Sequence, residues 1–192
     1  MTPKELFRFL VIFPWGVFVA YWLIGALKTR TTQQQESFAS RYAVLLIEIV
    51  GYGLVFRNSA GIGFLGNRVV PRNLVGPIVG SALTWLGIGL AIWARYYLAE
   101  YWSARVTIKE GHKLIRTGPY ARLRHPIYTG LILATIGSAM VIDRWRCVLG
   151  VFLVVMGYCF KANKEESMLT QQFGEAFREH QKHTGFLIPR FH

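Results

Sequence analysis

The chain has 192 residues, of which 53% are hydrophobic and 17% charged, and its mean hydropathy is +0.32. That balance excludes an ordinary soluble globular domain of this length and predicts an integral membrane protein. The net charge of +12, which in a soluble chain would suggest nucleic acid, here matches anionic lipid head groups and the tendency of positive loops to stay on one side of a membrane, so no nucleic-acid partner is expected.

A helix crosses a bilayer with about 20 apolar residues. Leu6 to Leu27 is the clearest such run. It is not read as a cleaved signal peptide, because it is too long and ends in Gly25, Ala26, Leu27 and Lys28 without a small-residue cleavage pattern. Ala43 to about Ser59 is a second run and carries Glu48 inside it. The stretch "GIGFLG", residues 61–66, fits a dinucleotide fingerprint letter for letter, but such a fingerprint needs an acidic residue about 20 positions later. No Asp or Glu occurs between Glu48 and Glu100, so the stretch reads as a glycine turn between two membrane helices. Leu74 to Leu98 is the third run, long enough to tilt.

Ile127 to Ile142 and Cys147 to Phe160 are shorter, and only Asp143, Arg144, Trp145 and Arg146 separate them. They are predicted to form a tight antiparallel helical hairpin. The fold class expected is therefore an all-α integral membrane protein with about five transmembrane helices, the fourth and fifth forming the hairpin. Beyond Phe160, Leu169, Phe173 and Phe177 repeat at i and i+4, which predicts a C-terminal amphipathic helical segment, bent at Gly174. The final "GFLIPRF" is apolar enough to tuck back under the interface.

Most of the 22 lysines and arginines fall on one side of a five-span chain, in the segments around Lys28 to Arg41, Arg95 to Arg124 and Lys161 to Arg190. The long loop and the C-terminus are predicted to be cytoplasmic and the N-terminus outside, with Lys4 and Arg8 arguing weakly against. Cys147 and Cys159 lie about 18 Å apart along one span and cannot bridge within it. His112, His125, His180, His183 and His192 show no zinc spacing, so no metal is expected. His180 and His183 share a helix face and read as a solvated surface pair.

The chemistry-bearing half begins at Glu100. "GHKLIRTGPYARLRH", residues 111–125, supplies a Gly-Pro turn, Tyr120 and repeated cations, a loop suited to placing polar groups beside the membrane. Pro126 suits the first turn of a helix, where a missing N–H is harmless. Arg124 and His125 then stand at a positive helix end that favours anions. Across the hairpin, "KANKEESML" carries Glu165 and Glu166, the only adjacent carboxylates in the chain. Taken singly, Arg124 reads as a snorkelling anchor, His125 as a surface histidine, Tyr120 and Tyr128 as an aromatic belt and the glutamates as a solvated helix segment. Jointly they flank one hairpin, which must bring them to the same membrane face.

The order "GHKLIRTGPYARLRHPIYTG", a hairpin, then "EESMLTQQFGEAFREHQKHTGFLIP" resembles the isoprenylcysteine carboxyl methyltransferase family and its relatives, the membrane phospholipid methyltransferases. The shared pattern is RHPxYxG, an EE pair, FG and a final IP, over roughly the last 90 residues. The resemblance implies a membrane methyltransferase using S-adenosylmethionine and releasing S-adenosylhomocysteine. His112, Lys113, Leu114, Ile115, Tyr120, His125, Pro126, Tyr128, Glu165 and Glu166 would hold the cofactor. Arg124, Glu165 and Glu166 would be the catalytic residues, Arg124 orienting the carboxylate of either the cofactor or the acceptor. The lipophilic acceptor would enter between helices from the bilayer. On this reading residues 1–192 form one membrane domain, with a three-span part at 1–99 and a cofactor-binding catalytic part at 100–192. Two departures from the pattern involve three positions. Lys161 stands where relatives tend to carry an arginine, keeping the charge but losing the bidentate fork, and Phe177 and His180 replace a tyrosine pair.

The leading activity is carboxyl O-methylation of a prenylated cysteine or similar lipophilic molecule. N-methylation of an ethanolamine phospholipid and S-methylation of a small thiol are the alternatives. From another class come an NADPH-dependent sterol-type reductase and a non-catalytic lipid-binding membrane protein. The absence of long loops favours a prokaryotic plasma membrane; a eukaryotic protein of this kind would sit in the endoplasmic reticulum.

Overall fold

A computed structural model describes residues 3–26, 32–35, 38–57, 63–71, 74–98, 107–109 and 114–191. The helices are α1 (Pro3–Ala26), α2 (Phe38–Phe56), α3 (Val75–Leu98), α4 (Pro126–Ile142), α5 (Trp145–Phe173) and α6 (Glu175–His183). The architecture is all-helical apart from one short ribbon, in which β1 (Thr32–Gln35) pairs antiparallel with β2 (Thr107–Lys109). Nothing in the polar run "TQQQ" announced that ribbon. It ties the connection after α1 to the connection after α3.

The five apolar runs correspond to α1 through α5. Segments Glu5–Gly25, Val75–Leu98 and Trp145–Phe173 are long and apolar enough to cross a membrane, and Tyr42–Phe56 and Pro126–Ile142 are shorter apolar helices. The protein is an integral membrane protein. The second run begins earlier than its hydropathy indicated, at Phe38, and the fifth does not stop at Phe160. Instead α5 continues through Glu165 and Glu166 to Phe173, about 43 Å of helix at ~1.5 Å per residue. Gly174, with φ +52°, ends it rather than bending it, because a glycine alone adopts that conformation without a Cβ clash.

In lipid there is no water to expel from between helices, so close van der Waals approach through small residues must hold them together. Helices α3 and α4 meet in this way along Gly80, Thr84, Gly87 and Ala91 on one side and Gly130, Ala134, Gly137 and Ser138 on the other. A Cβ at Gly80 would stand 2.6 Å from the Gly137 carbonyl, and one at Gly130 would stand 2.5 Å from that of Gly87. Helices α2 and α5 repeat the device: a Cβ at Gly150 would lie 2.7 Å from the Gly51 carbonyl. Trp15 of α1 reaches the seam by donating its indole N–H to Ser138 Oγ at 3.0 Å.

The hairpin turn is fixed at the end remote from Glu165. Asp143 sits in the left-handed region at φ 52°. Its Oδ1 accepts hydrogen bonds from the Val69 and Val70 amides at 3.2 Å each, and its Oδ2 meets Arg68 at 2.7 Å. Buried Arg146 donates to the carbonyls of Leu54 and Val55 at the end of α2. Gly63–Gly66, inside the glycine-rich stretch, forms a 3-10 turn between α2 and α3, with Phe64 stacked on Trp145. Cys147 and Cys159 are both free thiols.

Candidate active site at the mouth of the hairpin

Pro126 opens α4, and with its fixed φ it places Arg124 and His125 just outside the first turn. On the other arm, α5 carries Glu165 and Glu166 at the same level. The two arms meet through side chains. Arg124 Nε donates to Glu166 Oε1 at 2.6 Å, with each side chain about 13–14% exposed. His125 Nε2 lies 3.0 Å from the same oxygen, and its Nδ1 lies 3.6 Å from Glu165 Oε2. Tyr128, one turn into α4, donates its hydroxyl to Glu165 Oε2 at 3.0 Å.

Sequence position also hides partners that only the folded tail supplies. Gln181 of α6 donates to Glu166 Oε2 at 2.8 Å, so Glu166 takes three side-chain donors. The Arg124 guanidinium further donates to the carbonyls of Gln181 and Thr184. The tail then runs alongside the RHP segment: the Arg124 amide donates to Gly185 O at 2.9 Å and the Gly185 amide to Arg122 O at 3.0 Å. Thr129 Oγ1 donates to Leu187 O at 2.9 Å. This is how "GFLIPRF" tucks back, and it brings the Phe186 ring edge-on to His125 at 5.1 Å.

Rings continue inward from there. His125 stacks on Tyr128 at 5.5 Å, Tyr128 stacks on Tyr158 at 5.1 Å, and the Tyr158 and Tyr52 hydroxyls lie 3.0 Å apart. Lys161 lies over the faces of Tyr128 and Tyr158, 5.8 and 6.0 Å from their centroids. Tyr158, Tyr52 and Glu48 were not among the residues singled out for the site. The i, i+4 spacing of Glu48 and Tyr52 on one helix is the signal that could have found them.

The electrostatics follow from this packing. Burial works against charge on His125, but the hydrogen bonds and charges of Glu165 and Glu166 outweigh it and raise the imidazole above its ordinary value. With both ring nitrogens facing carboxylate oxygens, the doubly protonated ring is the species that satisfies them. Tyr120, buried in the 3-10 turn Gly118–Ala121, has its phenol pushed up by burial and by the charge of Glu165.

His180 was expected on a solvated face with His183. The structure corrects that: His180 is buried and lowered to about 4 by burial and then by the Arg116 and Arg124 charges, while His183 is exposed and contacts Glu179. The apolar face of α6 turns Phe177 and His180 inward because they follow the same i, i+3 line.

Arg124, His125, Tyr128, Glu165 and Glu166 thus form one connected cluster. Pro126 is fully buried beneath it, and Ile115 and Tyr120 belong to the apolar core that also holds Ile127 and Tyr158. Leu114 is half-buried at the start of the same loop. His112 and Lys113 lie outside the described residues. Among the described residues no group of three or more His, Cys, Asp and Glu is arranged to hold a metal ion.

A family model described as the isoprenylcysteine carboxyl methyltransferase (ICMT) family matches residues 81–171. Among curated proteins, the chain is 28% identical over 82 residues to the uncharacterized protein YpbQ of Bacillus subtilis (strain 168), covering 38% of this chain and 49% of that one. It is 26% identical over 125 residues to the methanethiol S-methyltransferase of Pseudomonas sp. (strain GM41(2012)), covering 57% of this chain and 45% of that one. The chain spans about half the length of these relatives. Among solved structures, the eukaryotic intramembrane Ras methyltransferase ICMT superposes with a TM-score of 0.57 at 21% identity, over 80% of this chain and 54% of that one. That likeness concerns the fold. Residues 81–171, which include α4 and most of α5, thus match the isoprenylcysteine carboxyl methyltransferase family, and the solved structure shares the fold.

Proposed function

We propose that this protein is an S-adenosylmethionine-dependent methyltransferase, with its site at the cytoplasmic mouth of the α4/α5 hairpin, in the part spanning residues 100–192, and an apolar or lipid-borne acceptor reached from the bilayer. The observation that carries the reading is the convergence of Arg124, His125 and Tyr128 on Glu165 and Glu166. The donor set suits the cofactor: carboxylates and stacked ring faces favour a sulfonium cation, and carboxylate oxygens accept from amino and ribose groups. When bound, the cofactor supplies an electrophilic methyl carbon.

The chain's own residues do the rest. Arg124 and Gln181 donate to Glu166 and fix its rotamer. Tyr128 fixes Glu165 in the same way. Leu114, Ile115 and Tyr120 supply apolar surface beside it, and the resemblance adds His112 and Lys113 to the residues that would hold the cofactor. Exclusion of water and alignment of the reacting atoms then supply the acceleration. Carboxyl O-methylation of a prenylated cysteine follows from the resemblance in the hairpin motifs. Transfer to a small thiol is the second reading, supported by the named activity of the Pseudomonas relative.

Calorimetric titration tests the class. S-adenosylhomocysteine should bind, and NADPH should not; NADPH alone binding would move the protein to the reductases, and neither binding would make it a lipid-binding module. Labelled methyl donor offered with a prenylcysteine, an ethanolamine phospholipid and a thiol then identifies the acceptor.

A further inference from the structure

Glu48 lies outside the segment matched by the family model, inside the span formed by α2, yet it reaches the site. Gly157, Lys161 and Glu165 lie at successive i, i+4 positions on one face of α5. Glu48 occupies the space left by Gly157, where a Cβ would meet Glu48 Cγ at 3.1 Å. Its Oε1 lies 3.9 Å from Lys161 Nζ, and the two side chains are 13% and 19% exposed. Lys161 in turn covers Tyr128, the ring that donates to Glu165. One turn along α2, Tyr52 joins the same group through Tyr158. An ion pair is therefore continuous with the candidate site and sits about 6 Å deeper in the bilayer, four residues back along α5. Ionisable side chains at such depth are costly and mark the paths of polar atoms through a membrane.

We propose that Glu48 and Lys161 form the acceptor end of the site and select a thiol, Glu48 taking its proton and Lys161 holding the resulting thiolate. This rests on the methyltransferase reading above, in its small-thiol form, and sets the carboxylate acceptor aside. Because the two charges cancel, the pair offers an acceptor that arrives as a carboxylate or as an ammonium no net attraction to repay its desolvation. A neutral acceptor that carries its own proton meets no such penalty. In the step, the thiol proton passes to a Glu48 oxygen, and a sulfur electron pair forms the new S–CH3 bond. The cofactor's bond between sulfonium and methyl breaks, and its electron pair remains on the cofactor sulfur. Glu48 then releases the proton to water as the thioether leaves.

The test compares the full-length wild-type protein with Glu48→Gln and Glu48→Asp, using an alkanethiol, an aryl thiol that ionises unaided, and a prenylcysteine carboxylate. With S-adenosylhomocysteine affinity unchanged within about twofold, Glu48→Gln should lower alkanethiol turnover about a hundredfold and Glu48→Asp should recover part of it. Aryl thiol turnover should fall far less, and carboxylate turnover not at all. Without cofactor, wild-type protein should show the ultraviolet thiolate band of bound alkanethiol, and Glu48→Gln should not. Should Glu48→Gln fail to fold, Lys161→Gln carries the same comparison and should lose the band. Equal losses for all acceptors, unchanged alkanethiol turnover in Glu48→Gln, or a wild type that methylates only the carboxylate overturns the proposal. Absence of both S-adenosylhomocysteine binding and any methyl transfer instead removes the methyltransferase reading on which it stands.

Discussion

Arg124 and Glu166, 42 positions apart in sequence, meet at 2.6 Å across the mouth of the α4/α5 hairpin. The sequence left open which anion Arg124 holds; in the folded chain it is the Glu166 carboxylate, backed by the carbonyls of Gln181 and Thr184. The planar fork of Arg124 is thus already engaged within the chain, which under the proposed function makes it a positioning residue. Glu166→Gln should destabilise the protein by about 2 kcal/mol, the scale of a hydrogen bond to a charged group. It should also weaken S-adenosylhomocysteine binding. Thermal unfolding in detergent and calorimetry read the two effects separately, and Arg124→Lys should reproduce the first because the single nitrogen of lysine cannot span the acceptors that Arg124 reaches from Nε and Nη1.

The glycine seam between α3 and α4 tolerates no added volume. Gly130→Val should cost about 2 kcal/mol or more, the upper range for overpacking, because its Cβ meets backbone rather than a movable side chain. Gly53→Ala, where nothing lies within 4 Å of the added Cβ, is the matched control and should leave the unfolding temperature unchanged or raised.

The far turn depends on Asp143 as an acceptor more than as a charge. Asp143→Asn retains an oxygen for the Val69 and Val70 amides and tolerates the left-handed backbone, so its cost should be about 1 kcal/mol, from loss of the short ion pair to the partly exposed Arg68. Asp143→Ala loses both amide partners and strains the backbone, and should cost about 2 kcal/mol. Chemical denaturation of the two variants side by side checks the ratio.

His180 and His125 give the stability opposite pH dependences. For His180, lowered to about 4, the folded state resists protonation. Its contribution is complete above the unfolded value of about 6.5 and is lost as pH falls from there toward 4. For His125, which is raised, the contribution is complete below about 6.5 and is lost as pH rises through the folded value. Unfolding temperatures between pH 4.5 and 9 should therefore decline less on the acid side in His180→Gln and less on the alkaline side in His125→Gln.

Hydropathy made the spans legible because lipid imposes a length and an apolarity on each helix separately. The hairpin made the pairing of "RHPIYTG" with "EE" legible, since only four residues between two spans leave one geometry. What the sequence did not reveal was set by the third dimension. Gln181, Thr184 and Phe186 reach Arg124, Glu166 and His125 only because Gly174 ends α5 and the tail returns along Arg122 to Arg124. His180 lies on the buried face of α6 for the same reason, and Glu48 looked like an isolated charge in a span until Gly157 of another helix made room for it. The ends of α2 and α5 differed from expectation because hydropathy marks where lipid stops, and the hydrogen bonds of a helix continue past that point.

Helix α5 joins these parts as a single rod, anchored through Arg146 to α2 at one end and carrying Lys161, Glu165 and Glu166 toward the other. A rod that long answers a thinner bilayer by tilting, and tilt alters the depth at which its polar residues sit. Under the proposed function, acyl-chain length in the surrounding lipid would thereby set the level at which Lys161, Glu165 and Glu166 meet their ligands.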